Sequence, residues 1–186
     1  MSRRCKIRVN ILNYFQLFNI EASFDVDIQE LSSSYQTLQK TVHPDKFAHS
    51  SEQEQRIAVQ KSAQINDAYQ TLKNPIRRAE YILVQRGVEM PNEQHSFQDT
   101  SFLMRQMELR EMLEDVKFSS NVDAALAEVQ SVLSNECSQL SQLMKTQISE
   151  NNAASNLAAC DNLRKLKFYQ KLNVEVDRLE DSLFDD

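Results

Sequence analysis

Three features of the sequence predict an all-α fold, built as a helical hairpin followed by a three-helix bundle. Glycine occurs once and proline three times in 186 residues. So few breakers leave little room for the turns of a β architecture and favour long helices. Apolar residues recur at helical spacing over most of the chain, in stripes that continue for several turns. Twice, an Asp or Ser is followed three residues later by Glu, the form of a helix start. Hydrophobic residues make up 41% of the chain, enough for packed cores.

Residues 12–20 (LNYFQLFNI) form a short apolar segment of one or two helical turns, and residues 23–27 connect it onward. Asp27 and Glu30 mark the next helix start. Ile28, Leu31, Tyr35, Leu38 and Val42 then make one helical stripe. Pro44 ends it and pushes His43 out of the α region. The loop is expected to run to Ser50. Ser51 and Glu54 form a second capping box, and Ala58, Ile65, Tyr69 and Leu72 mark a helix of roughly six turns reaching Asn74. The two stripes face each other as an antiparallel hairpin of helices.

Pro75 interrupts, a short helix follows over 77–84, and Gly87 suits the position just past its end. The stretch 88–96, with Pro91, is the best domain boundary. Asp99 caps a helix over 100–117, and residues 119–122 turn the chain. Val122, Leu126, Val129, Leu133, Leu140 and Leu143 stripe a long helix that residues 149–152 break. Leu157, Phe168, Leu172, Val176, Leu179 and Leu183 stripe the last one. Three antiparallel helices with short links make a bundle. The organisation read from the sequence is therefore a basic N-terminal extension (1–11), a first module (12–86), a linker (87–96) and a second module (97–186).

A net charge of -6 argues against nucleic acid as a main partner, because phosphate binding needs a basic surface. No apolar run is long enough to span a bilayer. Cys5, Cys137 and Cys160 are odd in number and far apart, which implies no disulfide framework and a reducing compartment. The first eight residues carry four cations but lack the apolar stretch of a secretory signal, and read as a basic tail.

The tripeptide His43-Pro44-Asp45 sits between the two helices of the hairpin. A catalytic dyad lacks an obvious nucleophile held by a third group. Histidines at 43, 49 and 95 and the scattered cysteines show no ligand spacing, so neither metal nor cofactor is expected. Taken alone, the tripeptide fits a plain helix stop and turn as well as a docking loop. In its setting it resembles the J-domain of DnaJ-type co-chaperones, over about residues 12–85. That resemblance implies that His43, Pro44 and Asp45 engage a DnaK-class ATPase chaperone and speed its ATP hydrolysis. A rigid loop places its charged and hydrogen-bonding groups at little ordering cost. J-domains usually carry a basic face on the helix before the loop. Here Lys40 on that helix and Lys46 in the loop are its cations, so weak electrostatic steering is expected.

The helix over 100–117 has two apolar surfaces. At 100° steps from Phe102, Leu109, Leu113 and Val116 fall within about 40° of it and form the core face. Leu103, Met104, Met107, Glu108, Glu111 and Asp115 fall on the opposite side. Either the last helix covers Leu103 and Met107, or these residues form a docking patch rimmed by carboxylates, with methionines that adapt to a partner. The runs 93–111, 65–75, 78–83 and 164–168 (RKLKF) with Leu172 are similar to the HscB family, the J-type co-chaperones of iron–sulfur cluster assembly. The likeness extends from about Asn13 to the C-terminus. It implies that the second module binds the IscU-type cluster scaffold and delivers it to HscA, a specialised DnaK-class chaperone. By position the scaffold-binding residues are Leu103, Met104, Met107, Glu108, Glu111, Asp115 and, from the last helix, Phe168. Asp115 is shorter than the glutamate expected there. Human-type members carry an N-terminal cysteine-rich metal module, where this chain has only Cys5, so the likeness is to the bacterial form and a cytoplasmic location is expected.

The expected function is that of an adaptor, not an enzyme. One end holds the loaded scaffold and the other triggers a partner's ATPase, with coupling between the two sites. A J-domain co-chaperone for another client is the rival reading. An enzyme using His43 and Asp45 as acid and base is a distant third, with no pocket motif in its favour.

Overall fold

The computed structural model of the protein describes residues 13–90 and 99–184, with only the backbone of Phe184. The basic extension and residues 91–96 of the expected linker lie outside the described residues. Among the described residues there are seven α-helices and no strand. The helices are α1 (Tyr14–Leu17), α2 (Ile28–Val42), α3 (Glu52–Lys73), α4 (Pro75–Gln85), α5 (Thr100–Asp115), α6 (Val122–Glu150) and α7 (Ala153–Phe184). The chain divides into two compact units between Tyr81 and Ile82, inside α4.

In the first unit, Asn13 and Gln16 cap α1 reciprocally and drive Phe15 into the core beside buried Phe18. Asp27 starts α2 by accepting from the amides of Gln29 and Glu30. Ser51 and Glu54 form the capping box that starts α3. Helices α2 and α3 run antiparallel. Tyr35 stacks on Tyr69 with ring centroids 4.1 Å apart, Ser32 bonds the Tyr69 hydroxyl, and Gln39 bonds Ser62 and Asn66 further along. Leu31 is buried on α2, and Ala58, Ile65, Ala68 and Leu72 on α3. Ile28 heads its stripe at the helix end and is left exposed.

Two local details differ from expectation. The loop after α2 is not irregular throughout, because Pro44–Phe47 make a turn of 3-10 helix. Proline's fixed φ suits the first position of such a turn. Helix α4 begins at Pro75 rather than Arg77, since Asn74 Oδ1 accepts from the amides of Ile76 and Arg77. Proline at the first helical position lacks an N–H that would have had no partner there.

The second unit contains the end of α4 and helices α5 to α7. Gly87, at φ 79°, closes α4, with Val88 N–H bonding Leu83 C=O and Gly87 N–H bonding Val84 C=O. Asp99 and Asn121 cap α5 and α6, and left-handed Asn151 turns the chain into α7. Helices α6 and α7 are antiparallel: Gln130 bonds Glu180, and Gln147 bonds Asn162. Helix α5 lies parallel to α7, with Asp99 beside Lys165 and Phe102 beside Tyr169. The core joins Phe102, Leu109, Leu113 and Val116 to Leu126, Val129, Leu133, Tyr169, Leu172, Val176 and Leu179.

Two expected core positions are corrected. Leu143 on α6 is 53% exposed, and Leu157 on α7 is 63% exposed. From Leu133 the inward face of α6 continues through Cys137 and Leu140 to Met144 and Ile148, the helical period carrying it past Leu143. At the start of α7 the inward residues are Ala159, Cys160, Leu163 and Leu166. Small side chains pack there, so the bulkiest apolar residue does not mark the core face.

Candidate functional site

The loop between α2 and α3 is held by its own backbone. Lys46 N–H bonds His43 C=O at 3.0 Å, Ala48 N–H bonds Asp45 C=O at 3.3 Å, and Ser50 N–H bonds Phe47 C=O at 2.9 Å. From α3, the Gln55 amide donates to the carbonyls of Ala48 and Ser50. His43 is extended, at φ -57° and ψ 127°. Its Nδ1 lies 3.4 Å from the amide nitrogen of Asp45, whose N–H it accepts, and 3.4 Å from Asp45 Oδ2. The His43 and Asp45 side chains keep 55% and 89% of their exposure. Lys40 and Lys46 are exposed too, and Pro44 is half-buried. The backbone-fixed loop thus offers an imidazole, a carboxylate and the Lys46 ammonium to solvent, with the Lys40 ammonium beside it on the last turn of α2. Among the described residues, the polar partners of the His43 imidazole both belong to Asp45.

On α5 the wheel geometry separates two faces. Phe102, Leu109, Leu113 and Val116 are buried in the bundle core. Leu103, Met104 and Met107 are 37%, 60% and 63% exposed, and Glu108, Glu111 and Asp115 are exposed around them. The last helix therefore does not cover the stripe. Phe168 of α7 is half-buried. It meets Phe102 edge-on at 5.6 Å, and the Arg110 guanidinium stands 5.9 Å from its ring. The structure thus gathers six of the sequence-predicted residues on consecutive turns of one helix face, with Phe168 on the neighbouring helix at the core edge.

The start and the middle of this helix are tied down electrostatically. At the N-terminus, Asp99 Oδ2 takes a 2.7 Å bond from Lys165, whose ammonium also sits 5.2 Å from the Phe102 ring. The Lys165 bond, then those from Ser101 and the Phe102 amide, hold the Asp99 carboxyl well below the usual aspartate range. In mid-helix, Arg105 bonds Glu108 on its own helix and Glu136 on α6. Glu136 also accepts from the hydroxyl of buried Tyr169. Burial, then the Glu136 bond, pushes the Tyr169 hydroxyl far up. Arg105 escaped the sequence reading. Its spacing of three from Glu108 was a usable signal for a pair, but nothing in the sequence points to Glu136, about thirty residues away.

Among the described residues no group of acidic, His and Cys side chains could hold a metal ion, and no helix is long and apolar enough to cross a membrane. A DnaJ domain model matches residues 13–81, and the model of the HSCB C-terminal oligomerisation domain matches residues 98–177. The co-chaperone protein HscB homolog of Colwellia psychrerythraea is 89% identical over 175 residues, covering 94% of this chain and 100% of that protein. The homolog of Shewanella halifaxensis is 47% identical with the same coverage. Among solved structures, chaperone HscB from Vibrio cholerae superposes with a TM-score of 0.87 at 47% identity, covering 92% of this chain and 100% of that one. Human co-chaperone protein HscB superposes with a TM-score of 0.84 at 27% identity, covering 92% of this chain and 83% of that one. The resemblance carried by the His-Pro-Asp loop and the runs 93–111, 65–75, 78–83 and 164–168 is therefore one of descent over nearly the whole length, and the chain belongs to the HscB family of J-domain co-chaperones.

Proposed function

We propose that this protein matures iron–sulfur proteins by linking two partners in the bacterial cytoplasm. Residues 12–86 act as the J-domain, residues 87–96 as a linker and residues 97–186 as the scaffold-binding module. His43, Pro44 and Asp45, flanked by Lys40 and Lys46, engage an HscA-type DnaK-class chaperone and stimulate its ATPase. Leu103, Met104, Met107, Glu108, Glu111, Asp115 and Phe168 hold an IscU-type scaffold. The cluster stays on the scaffold as cargo.

The observation that carries this reading is the outward face of α5, with apolar residues exposed opposite a filled core. A helix in a bundle has no structural need of a second apolar stripe. Covering these partly exposed side chains would contribute about 1–2 kcal/mol each, enough in combination with a charged rim for a specific complex. The carboxylates fit a partner with a cationic rim, and set its approach more than its final affinity. The J-loop needs only to be presented rigidly, and its backbone bonds do that.

Titration calorimetry of the full chain with an IscU-type scaffold tests the docking face. Leu103→Ala with Met107→Ala should weaken binding by about tenfold or more. Unchanged affinity would refute this face as the scaffold site.

A further inference from the structure

Not all carboxylates on the α5 rim are equivalent. Glu108 Oε2 is 2.8 Å from Arg105 Nη1, whereas no hydrogen bond or ion pair engages Glu111 or Asp115 among the described residues. Arg105 is itself anchored. Its Nε and Nη2 both donate to Glu136 Oε1, at 2.8 and 2.5 Å, and Glu136 Oε2 accepts from Tyr169. Tyr169 is buried in the core and Glu136 is 22% exposed, so the anchor is largely shielded from water. A planar guanidinium can serve two carboxylates at once because its donors form a rigid fork.

We infer that Arg105 is a positioning residue of the docking face: clamped on Glu136, it keeps Glu108 in a preformed pair, so that a partner recruits Glu108 only by presenting a cation able to displace Arg105. The inference rests on the reading of this face as the scaffold site. It divides the rim into two classes. Glu111 and Asp115 are available to any basic partner on approach, and Glu108 reports on the geometry of the partner's cation once docked. A scaffold with its cation in the wrong place gains nothing from Glu108, which sharpens selection between basic partners.

The test is a double-mutant cycle on scaffold affinity, with the full chain and an apo IscU-type scaffold. Glu108→Gln in the otherwise wild-type chain is expected to weaken binding by about twofold, since displacing Arg105 offsets much of what the partner's cation gains at Glu108. In the Arg105→Gln background, where the carboxylate is released, the same change is expected to cost about fivefold or more. Arg105→Lys keeps the charge but cannot fork to both acids. Glu108→Gln in that background should again cost more than in wild type, which covers the case in which Arg105→Gln does not fold. A change in net charge alone would leave the cost of Glu108→Gln equal in every background, and so would a purely structural role for Arg105. Equal costs overturn the inference. Leu103→Ala with Met107→Ala, measured alongside, separates the two readings: if it leaves wild-type affinity intact, the docking face itself is wrong. If it weakens binding while the Glu108 costs stay equal, only the clamp is.

Discussion

Arg105 places two donors on one oxygen of Glu136, Nε at 2.8 Å and Nη2 at 2.5 Å, and so ties α5 to α6 beside the core. The other Glu136 oxygen takes the Tyr169 hydroxyl of α7. The three helices of the bundle therefore meet at one carboxylate. Tyr169→Phe should cost about 1–2 kcal/mol in urea unfolding of the full chain, because a shielded carboxylate oxygen loses its donor while the ring packing is kept. No loss would mean that the hydroxyl contact adds nothing over solvation.

The two faces of α5 should respond oppositely to truncation. Leu109 is fully buried, so Leu109→Ala should destabilise the protein by about 2–5 kcal/mol through lost burial and a cavity. Met104 is 60% exposed, and Met104→Ala should change stability by no more than about 0.5 kcal/mol while weakening scaffold binding. Thermal melts and calorimetry on the same preparations separate the effects.

Much of this is legible in the amino-acid sequence. Caps at Asp27, Ser51, Asp99 and Gly87 mark helix ends because their chemistry is local and short-range. The split of α5 into a core face and an outward face followed from angular position alone. What escaped were facts of partnership. Leu143 and Leu157 continue their stripes by helical spacing, but the burying surface comes from another helix and accepts Met144, Ala159 and Cys160 instead. The Arg105–Glu136–Tyr169 cluster joins three helices distant in sequence, and no spacing rule reaches that far. The J-loop tripeptide was legible as chemistry, but its turn of 3-10 helix was not.

Asp99 should give the bundle an acid-sensitive component. Its native carboxyl titrates well below the ordinary aspartate range, chiefly through the Lys165 bond. A depressed native value contributes stability above the unfolded-state value, and that contribution fades as pH falls through the native one. Asp99→Asn should therefore be less stable than wild type at neutral pH. The gap in melting temperature should shrink steadily in acid, below the ordinary aspartate range. A gap independent of pH would show that the charge of Asp99 is not what matters.

Tyr14 offers the converse case in the first unit. Its hydroxyl donates to Asp67 at 2.6 Å, which, ahead of burial, pushes its pKa up to about 12. A raised native value adds stability below the ordinary tyrosine range, lost as pH climbs towards that native value. Tyr14→Phe should melt earlier than wild type at neutral pH and converge with it in strong alkali, provided both remain reversible.

In the proposed function, one chain carries a trigger at His43-Pro44-Asp45 and a client face on α5, and the two are separable. Single-turnover ATP hydrolysis by the HscA-type chaperone, with and without the scaffold, tests it most directly. His43→Gln should lose stimulation by about tenfold or more, equivalent to about 1.4 kcal/mol, while binding the scaffold as wild type does. Leu103→Ala with Met107→Ala should keep the basal stimulation and lose the extra increment that the scaffold brings. If His43→Gln stimulates hydrolysis as well as the wild-type chain, the account of the loop is wrong.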